Sequence, residues 1–454
     1  MLRLLASLVT LLVSSQQDFD ALSGNLRAAL AGQPEEVKVV FEPGTYRFRD
    51  DQIFLSGLKC PGTRISFEGN GAVLTGTAPS VQAGPFTRMG SYVEVVDSES
   101  KLCRIRTRER LNGPGTLWVQ ITSWYRTFTA PVTEIKGKYL YFKLDALARE
   151  GLTYNVNGDL TFGKQRPRFR LLRVQDASDP VSTTAFHFSA CEFRGISLAG
   201  FVIDRNAGRR TEYGRDCAVR FYRNALGGAE IRSCTFRHLQ SDAVHILFTD
   251  QVDVLECRFE DCGRKGVRSI NASAHTRILD CTFERMDRSL SNSPCIYCAG
   301  EEYLISGNSF VDYGNCAISL GVHFTEEMSC PSSGIVEKNE LYQTDAYRSA
   351  APMNLLMDTG GIYVNTQNTA LTIRNNSVHD ISGPYANRGI FCDDGTVNTT
   401  ISGNRVLRIA NSYGIDLRRV LSVESRPDSR IRRVNVGNRL DHNQVDGKIR
   451  FEER

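Results

Sequence analysis

Along most of the chain apolar and polar residues alternate in short runs, among them "AVHIL", "GVRSI", "CIYCA", "AISLG", "GIYVN", "GIFCD" and "GIDLR". A period of two is that of a β-strand whose faces meet different surroundings, and it excludes a repeat built of helices. One helix is expected, near the start, where Phe19, Leu22, Leu26 and Leu30 fall at helical spacing. Ahead of it, Arg3, the apolar stretch Leu4 to Val13 and the small Ser14 and Ser15 have the form of an export signal over residues 1–16. A buried N-terminal strand or helix is the competing reading. The apolar stretch is too short to span a bilayer.

The strand runs have a companion that recurs. "SCTF" at Cys234, "ECRF" at Cys257 and "DCTF" at Cys281 each place a cysteine two residues before a phenylalanine. The same slot then holds asparagine in "GNSF" at Asn308, "KNEL" at Asn339, "NNSV" at Asn376, "GNRV" at Asn404 and "HNQV" at Asn443. A repeat of this length with one strand run per copy, frequent glycine and little helical periodicity describes a solenoid. The expected fold is all-β, a right-handed parallel β-helix whose turns stack about 4.8 Å apart. Equivalent side chains then form ladders, in which buried asparagines bond upward and downward while cysteine and phenylalanine fill the core. On this reading Cys234, Cys257 and Cys281 are structural thiols, neither nucleophiles nor metal ligands. The cysteines of "CIYC", 295–298, are expected on opposite faces of a strand. Residues 17–84 supply a capping helix and the first turns, 85–175 interrupt the repeat with a small β-rich insertion holding Trp118 and Trp124, and 176–454 form the main solenoid.

Composition narrows the function only a little. The 454 residues carry a formal charge of +4 with the basic residues dispersed, so no nucleic-acid groove is expected. Thirteen cysteines, an odd number placed in repeat slots, argue against a disulfide framework.

Aligning the runs yields a candidate surface. If Val244, Val267, Ile296, Ile318, Ile362, Ile390 and Ile415 point inward, the residues after them point outward: His245, Arg268, Tyr297, Ser319, Tyr363, Phe391 and Asp416. Two residues further on, Asn365, Asp393 and Arg418 belong to the next outward column. Rings with donors and acceptors between them suit a glycan, and Tyr363 and Phe391 are expected as solvent-facing platforms for its sugars. Asp393 and its neighbour Asp394 end one strand, and Asp358 enters the same region from the preceding turn. Carboxylates about 5 Å apart serve retaining glycoside hydrolysis, and those about 6.5 to 9.5 Å apart serve the inverting reaction.

"MDTGGIYVNTQNTALTIRNNSVHDISGPYANRGIFCDDGTVNTTISGNRV", residues 357–406, resembles consecutive turns of pectate-lyase-like β-helix proteins, most closely glycoside hydrolase family 141 and its relatives. Asp358, Gly361, Ile362 and Tyr363 match a first motif of such proteins, His379 and Asp380 a second, and Gly389, Ile390, Asp393, Asp394 and Gly395 a third. "VNTQNTA" departs from the basic and aromatic cluster that follows the first motif in relatives. The resemblance implies a carbohydrate-active enzyme in which Asp358 acts with Asp393 or Asp394. The substrate-binding set expected beside these acids is His245, Arg268, Tyr297, Tyr363, Asn365, His379, Phe391, Asp416 and Arg418. Two alternatives stand next to the glycosidase. One is a polysaccharide lyase using Arg268 or Arg418 as base, with calcium at Asp393 and Asp394. The other is a glycan-binding or surface protein whose acids are only turn residues. A hydrolase needs no cofactor.

Overall fold

The computed structural model describes residues 7–451 apart from 79, 85–86, 89–92, 98, 101, 108–115, 124–125, 144–152, 155–159, 162–167, 176–181, 208–215, 288–292, 322–331, 351–359, 365–366, 383–386, 394–395, 411 and 418–436. The chain winds into a right-handed parallel β-helix of three long sheets. The first sheet runs from Leu8–Val13 to Arg439–Asp441, the second from Thr45–Arg47 to Gln444–Val445, and the third from Ile53–Ser56 to Lys448–Phe451. Each turn passes through the sheets in that order, as Ala229–Arg232, Thr235–Leu239 and Asp242–Leu247 do.

The corner between first and second sheets carries the repeat slot. Asn308 donates from its backbone N and from Nδ2 to Oδ1 of Asn339, at 3.0 and 2.9 Å. Asn339 makes the same pair of bonds to Asn376, Asn376 to Asn404 and Asn404 to Asn443. Each asparagine thus caps a backbone N–H of the turn below, which a buried turn cannot leave unpaired. Cys281 extends the ladder, its N–H donating to Oδ1 of Asn308 at 2.9 Å. The residue before each ladder position is left-handed, with φ of 55° at Glu256, 71° at Gly307 and 55° at Lys338. Two positions after the slot, Phe236, Phe259, Phe283 and Phe310 stack with centroids 4.6 to 4.9 Å apart.

The thiols behave as the repeat requires. The cysteines among the described residues are buried, and Cys234, Cys257 and Cys281 are free thiols. Burial pushes the Cys262 and Cys298 thiols up to about 12. Cys295 and Cys298 do not lie on opposite faces; both join the solenoid core, because Cys295 sits in the turn ahead of the strand Ile296–Glu301, outside its alternation.

Gly361, Gly389 and Gly414 precede the inward isoleucines of the third sheet. A Cβ at Gly361 would stand 2.5 Å from Cγ1 of Val378 and 2.7 Å from the Gly389 oxygen. The glycines of the "GGIY", "RGIF" and "YGID" segments are therefore set by packing against the second sheet.

Both ends of the early chain pack as elements. The helix Gln16–Ala31 starts at Ser15, whose side chain accepts from the Asp18 N–H, and buries Phe19, Leu22, Leu26 and Leu30 over the open core. Leu8–Val13 pairs parallel with Glu36–Phe41 as the end strand of the first sheet. Strands between Ser80 and Gln175 form a separate antiparallel sheet with its own core, which includes Val93, Val119, Ile121, Leu140 and Phe142. Trp118 is half-buried within it, and Trp124 lies outside the described residues. No described helix is long and apolar enough to cross a membrane.

Candidate functional site on the third sheet

The register of the third sheet places one residue above another from turn to turn. His187, Arg220, His245, Arg268, Tyr297, Ser319, Tyr363, Phe391, Asp416 and Arg450 form one continuous column. Their neighbours Val219, Val244, Val267, Ile296, Ile318, Ile362, Ile390 and Ile415 lie in the solenoid core, so the column points away from it. The expected column is the observed one, and it extends further in both directions.

Direction and exposure part company in the later turns. Tyr363 is 7% exposed, Phe391 1% and Asp416 0%. Tyr363 and Phe391 meet edge to face at 5.2 Å and cluster with Cys316, apart from the solenoid core. They are not the open platforms expected of them: alternation fixes which side of a sheet a residue faces, while burial depends on what lies over that side. The Arg388 guanidinium rests 3.8 Å from the Phe391 ring centre and donates through Nε to Asp416 Oδ2 at 2.6 Å. Arg450 donates to both Asp416 oxygens at 2.6 and 2.7 Å. Asp416 is thereby committed to two arginines, an arrangement that holds turns together and leaves little capacity for a sugar hydroxyl.

Asp393 ends this strand, buried, with its Oδ2 accepting from the Tyr363 hydroxyl at 2.9 Å. Its backbone N–H donates to the Val364 oxygen at 2.8 Å, and its own carbonyl accepts from Thr396 Oγ1 at 2.8 Å. A carboxylate fixed this way has a defined orientation, as general acid–base work demands. Asp358, Asp394, Asn365 and Arg418 lie outside the described residues.

The earlier turns differ. His245 Nε2 donates to Asp242 Oδ2 at 2.7 Å, with both side chains 1% exposed. Arg264 Nε lies 3.7 Å from the other Asp242 oxygen, which also accepts from the Lys265 backbone N–H. Burial works to raise the Asp242 carboxyl, but Lys265, the His245 bond and Arg264 outweigh it and hold the group well below the usual carboxylate range. Burial lowers His245, against the Asp242 bond and with help from Arg268 and Arg220, so the ring is neutral with its proton on Nε2. Burial also brings Lys265 down to about 8. Arg220, Arg268 and Tyr297 above and below are half-buried. Beside them Tyr222 and Tyr297 pack on an apolar group of Leu247, Ile270 and Ala299. Arg220 lies 5.2 Å from the centre of the Tyr222 ring.

His379 is not part of this face. It sits on the second sheet in the strand Ser377–Ile381, stacked 5.1 Å from Tyr342 and bonded through Nδ1 to Asp380 at 2.7 Å. Its neighbour Asp380 is tied to Arg408 and Arg348. His379 is half-buried in that ion network.

Two residues escaped the sequence reading. Arg220 lies in "AVRFY", which repeats the "AVHIL" pattern one turn earlier, and Asp242 stands three residues before His245 at the start of the same strand. Aligning one more run would have found the first. Among the described residues no group of three His, Cys, Asp or Glu side chains is placed to hold a metal ion.

Comparison with known proteins agrees on the architecture. The family described as a right handed beta helix region matches residues 179–326. A solved structure titled "Glycoside hydrolase" is 12% identical, with a TM-score of 0.59 and 97% of each chain covered. XylC in complex with xylose is 10% identical at a TM-score of 0.43, covering 90% of this chain and 71% of that one. A tailspike protein mutant of E. coli bacteriophage HK620 in complex with a pentasaccharide is 10% identical at 0.30, covering 96% and 72%. At these identities the likeness is one of fold, and no curated protein matches.

Proposed function

We propose that the chain is an exported carbohydrate-active enzyme, a glycoside hydrolase that lays a glycan across the outward face of the third sheet. Export rests on the signal-like form of residues 1–16, although Leu8–Val13 also pairs with the first sheet as the competing N-terminal strand would, and export would put the protein in the periplasm or outside the cell. The reading rests chiefly on one observation: Asp393, at the end of a third-sheet strand, is held by the Tyr363 hydroxyl at the edge of a column continuous over ten turns. In this reading Asp358 is one member of the acid pair and Asp393 the other, with Asp394 the alternative to Asp393. One carboxyl protonates the leaving oxygen while its partner attacks as nucleophile or activates water.

The test is turnover of a panel of oligosaccharides followed by reducing-end release and by ultraviolet absorbance. New reducing ends without an unsaturated product support hydrolysis, and an unsaturated product would make the enzyme a lyase. Asp393→Asn is expected to lower kcat by 10²-fold or more, with binding and melting temperature retained. Full activity in Asp393→Asn, Asp358→Asn and Asp394→Asn alike would reduce these acids to turn residues.

A further inference from the structure

A second constellation on the same face has no part in that acid pair. Arg220, His245 and Arg268 occupy three successive rungs, so the two arginines stand about 9.5 Å apart with the histidine between them. Among the described residues nothing bonds Nδ1 of His245, Nε of Arg220 or Nε of Arg268, although all three atoms are buried. Buried polar atoms are as a rule hydrogen-bonded, and three exceptions on adjacent rungs mark a place built for something else to occupy.

The chemistry of the three atoms is specific. His245 donates a hydrogen bond to Asp242 from Nε2–H, so Nδ1 offers a lone pair and accepts a hydrogen bond. The arginines offer only donors and positive charge. Arg220, Arg264, Lys265 and Arg268 stand around Asp242 and His245, with Asp287 beside Lys265 and Asp216 and Asp51 toward the Arg220 end, so positive charge flanks the histidine on both rungs. Tyr222 and Tyr297 add ring surface at the edge. An occupant must therefore carry an anionic group for the arginines, a hydroxyl donor for Nδ1 and an apolar face for the rings.

We propose that Arg220, His245 and Arg268 form a subsite for an acidic sugar, one bearing a carboxylate or a sulfate next to a free hydroxyl. The inference rests on the glycan reading above and names the class of glycan. Arg220 and Arg268 hold the anionic group, His245 accepts from the hydroxyl, and Asp242 is a positioning residue that fixes which ring nitrogen carries the proton. At four rungs from His245 to Tyr363, about 19 Å, the subsite lies well away from Asp393 and contributes to binding and specificity, not to bond cleavage.

The experiment measures affinity for matched glycan pairs by calorimetry, using the full chain. Each uronate oligosaccharide is paired with its carboxyl-reduced form and each sulfated one with its desulfated form. At least one acidic member is expected to bind about tenfold or more tightly than its neutral partner, as a charged hydrogen-bonded contact allows. The pair that shows the preference identifies carboxylate or sulfate. Arg268→Gln and Arg220→Gln should each remove most of that preference, weakening the acidic member's binding far more than the neutral member's. If either fails to fold, Arg268→Lys and Arg220→Lys replace them, since lysine keeps the charge and loses the planar fork, and a partial loss of preference is then expected. Neutral glycans bound as tightly as acidic ones, or a preference untouched by both substitutions, would overturn the subsite and leave the glycan reading standing. Failure to bind any glycan of the panel would overturn both.

Discussion

The early and late rungs of the third sheet share one register and one outward direction, yet they have become different materials. From Arg220 to Tyr297 the column is half-buried at Arg220, Arg268 and Tyr297 and closed only at His245, which pairs with Asp242 between two arginines, and polar atoms there are left without partners. From Tyr363 to Asp416 it is closed, with ring on ring, guanidinium on ring and a carboxylate clamped between two arginines. The difference teaches that a solenoid sets the direction of a side chain by parity and leaves its solvation to whatever packs on the face. In the late rungs polar and aromatic groups satisfy one another and lend stability. In the early rungs their capacity is unspent, which is the condition for binding.

The largest expected effect would break this division most directly. Phe391→Ala removes a ring buried between Tyr363 and the Arg388 guanidinium, and should cost about 3 to 5 kcal/mol of stability in denaturant unfolding. Tyr222→Ala, a half-buried ring on Leu247, Ile270 and Ala299, should cost less, about 1 to 1.5 kcal/mol. Equal losses would show that the two regions are packed alike.

How much of this was open to inspection before the structure follows from the same physics. The repeat slot of Cys234 to Asn443 and the column from His245 to Asp416 were legible because stacking forces equivalent residues into equivalent places, and the period survives in the sequence. The closed state of Phe391 was not legible, since alternation carries no information on what covers a face. Nor was the pairing of Asp416 with Arg388 and Arg450, because Arg388 opens its strand, off the aligned column, and Arg450 lies in a run that lacks the repeat's glycine–isoleucine signal. His379 looked like part of the site because it shares a motif with its neighbours, but that motif is spread over two sheets. The glycines of the same motif answer to packing, as Gly361 shows against Val378.

A proton sharpens the comparison at the early rungs. His245 titrates below its ordinary 6.5 in the folded chain because it is buried, with Asp242 on its own strand opposing the shift and Arg268 and Arg220 on the adjoining strands adding to it, while Lys265 and Arg264 act on Asp242. As the pH falls through 6.5 the unfolded chain takes up the proton first, so stability falls with acidification until the folded ring also protonates, and is flat below that. From about a pH unit above 6.5 both states are neutral and the group contributes no slope. One proton limits the slope to about 1.4 kcal/mol per pH unit. The stability difference between the wild type and His245→Gln should therefore change as the pH falls from about 7.5 toward 5 and be constant above about 7.5. A difference independent of pH over the whole range would mean that the ring is not held neutral.

The smallest effect concerns one hydroxyl in the closed region. Tyr363 donates to Asp393 Oδ2 at 2.9 Å, and Tyr363→Phe deletes that oxygen while keeping the ring against Phe391. The loss of one hydrogen bond to a buried carboxylate should lower stability by about 1.5 kcal/mol. Packing alone predicts nothing more. If Asp393 is a working carboxylate, the variant should also lose kcat several-fold at nearly unchanged KM, because the acid is no longer held in one orientation while the substrate's other contacts persist. Tyr222→Phe, made on the early rungs, should leave both melting temperature and kcat where they were. A Tyr363→Phe variant with reduced stability and full kcat would separate the two roles, leaving the hydroxyl as part of the closed packing with no share in orienting Asp393 for the reaction.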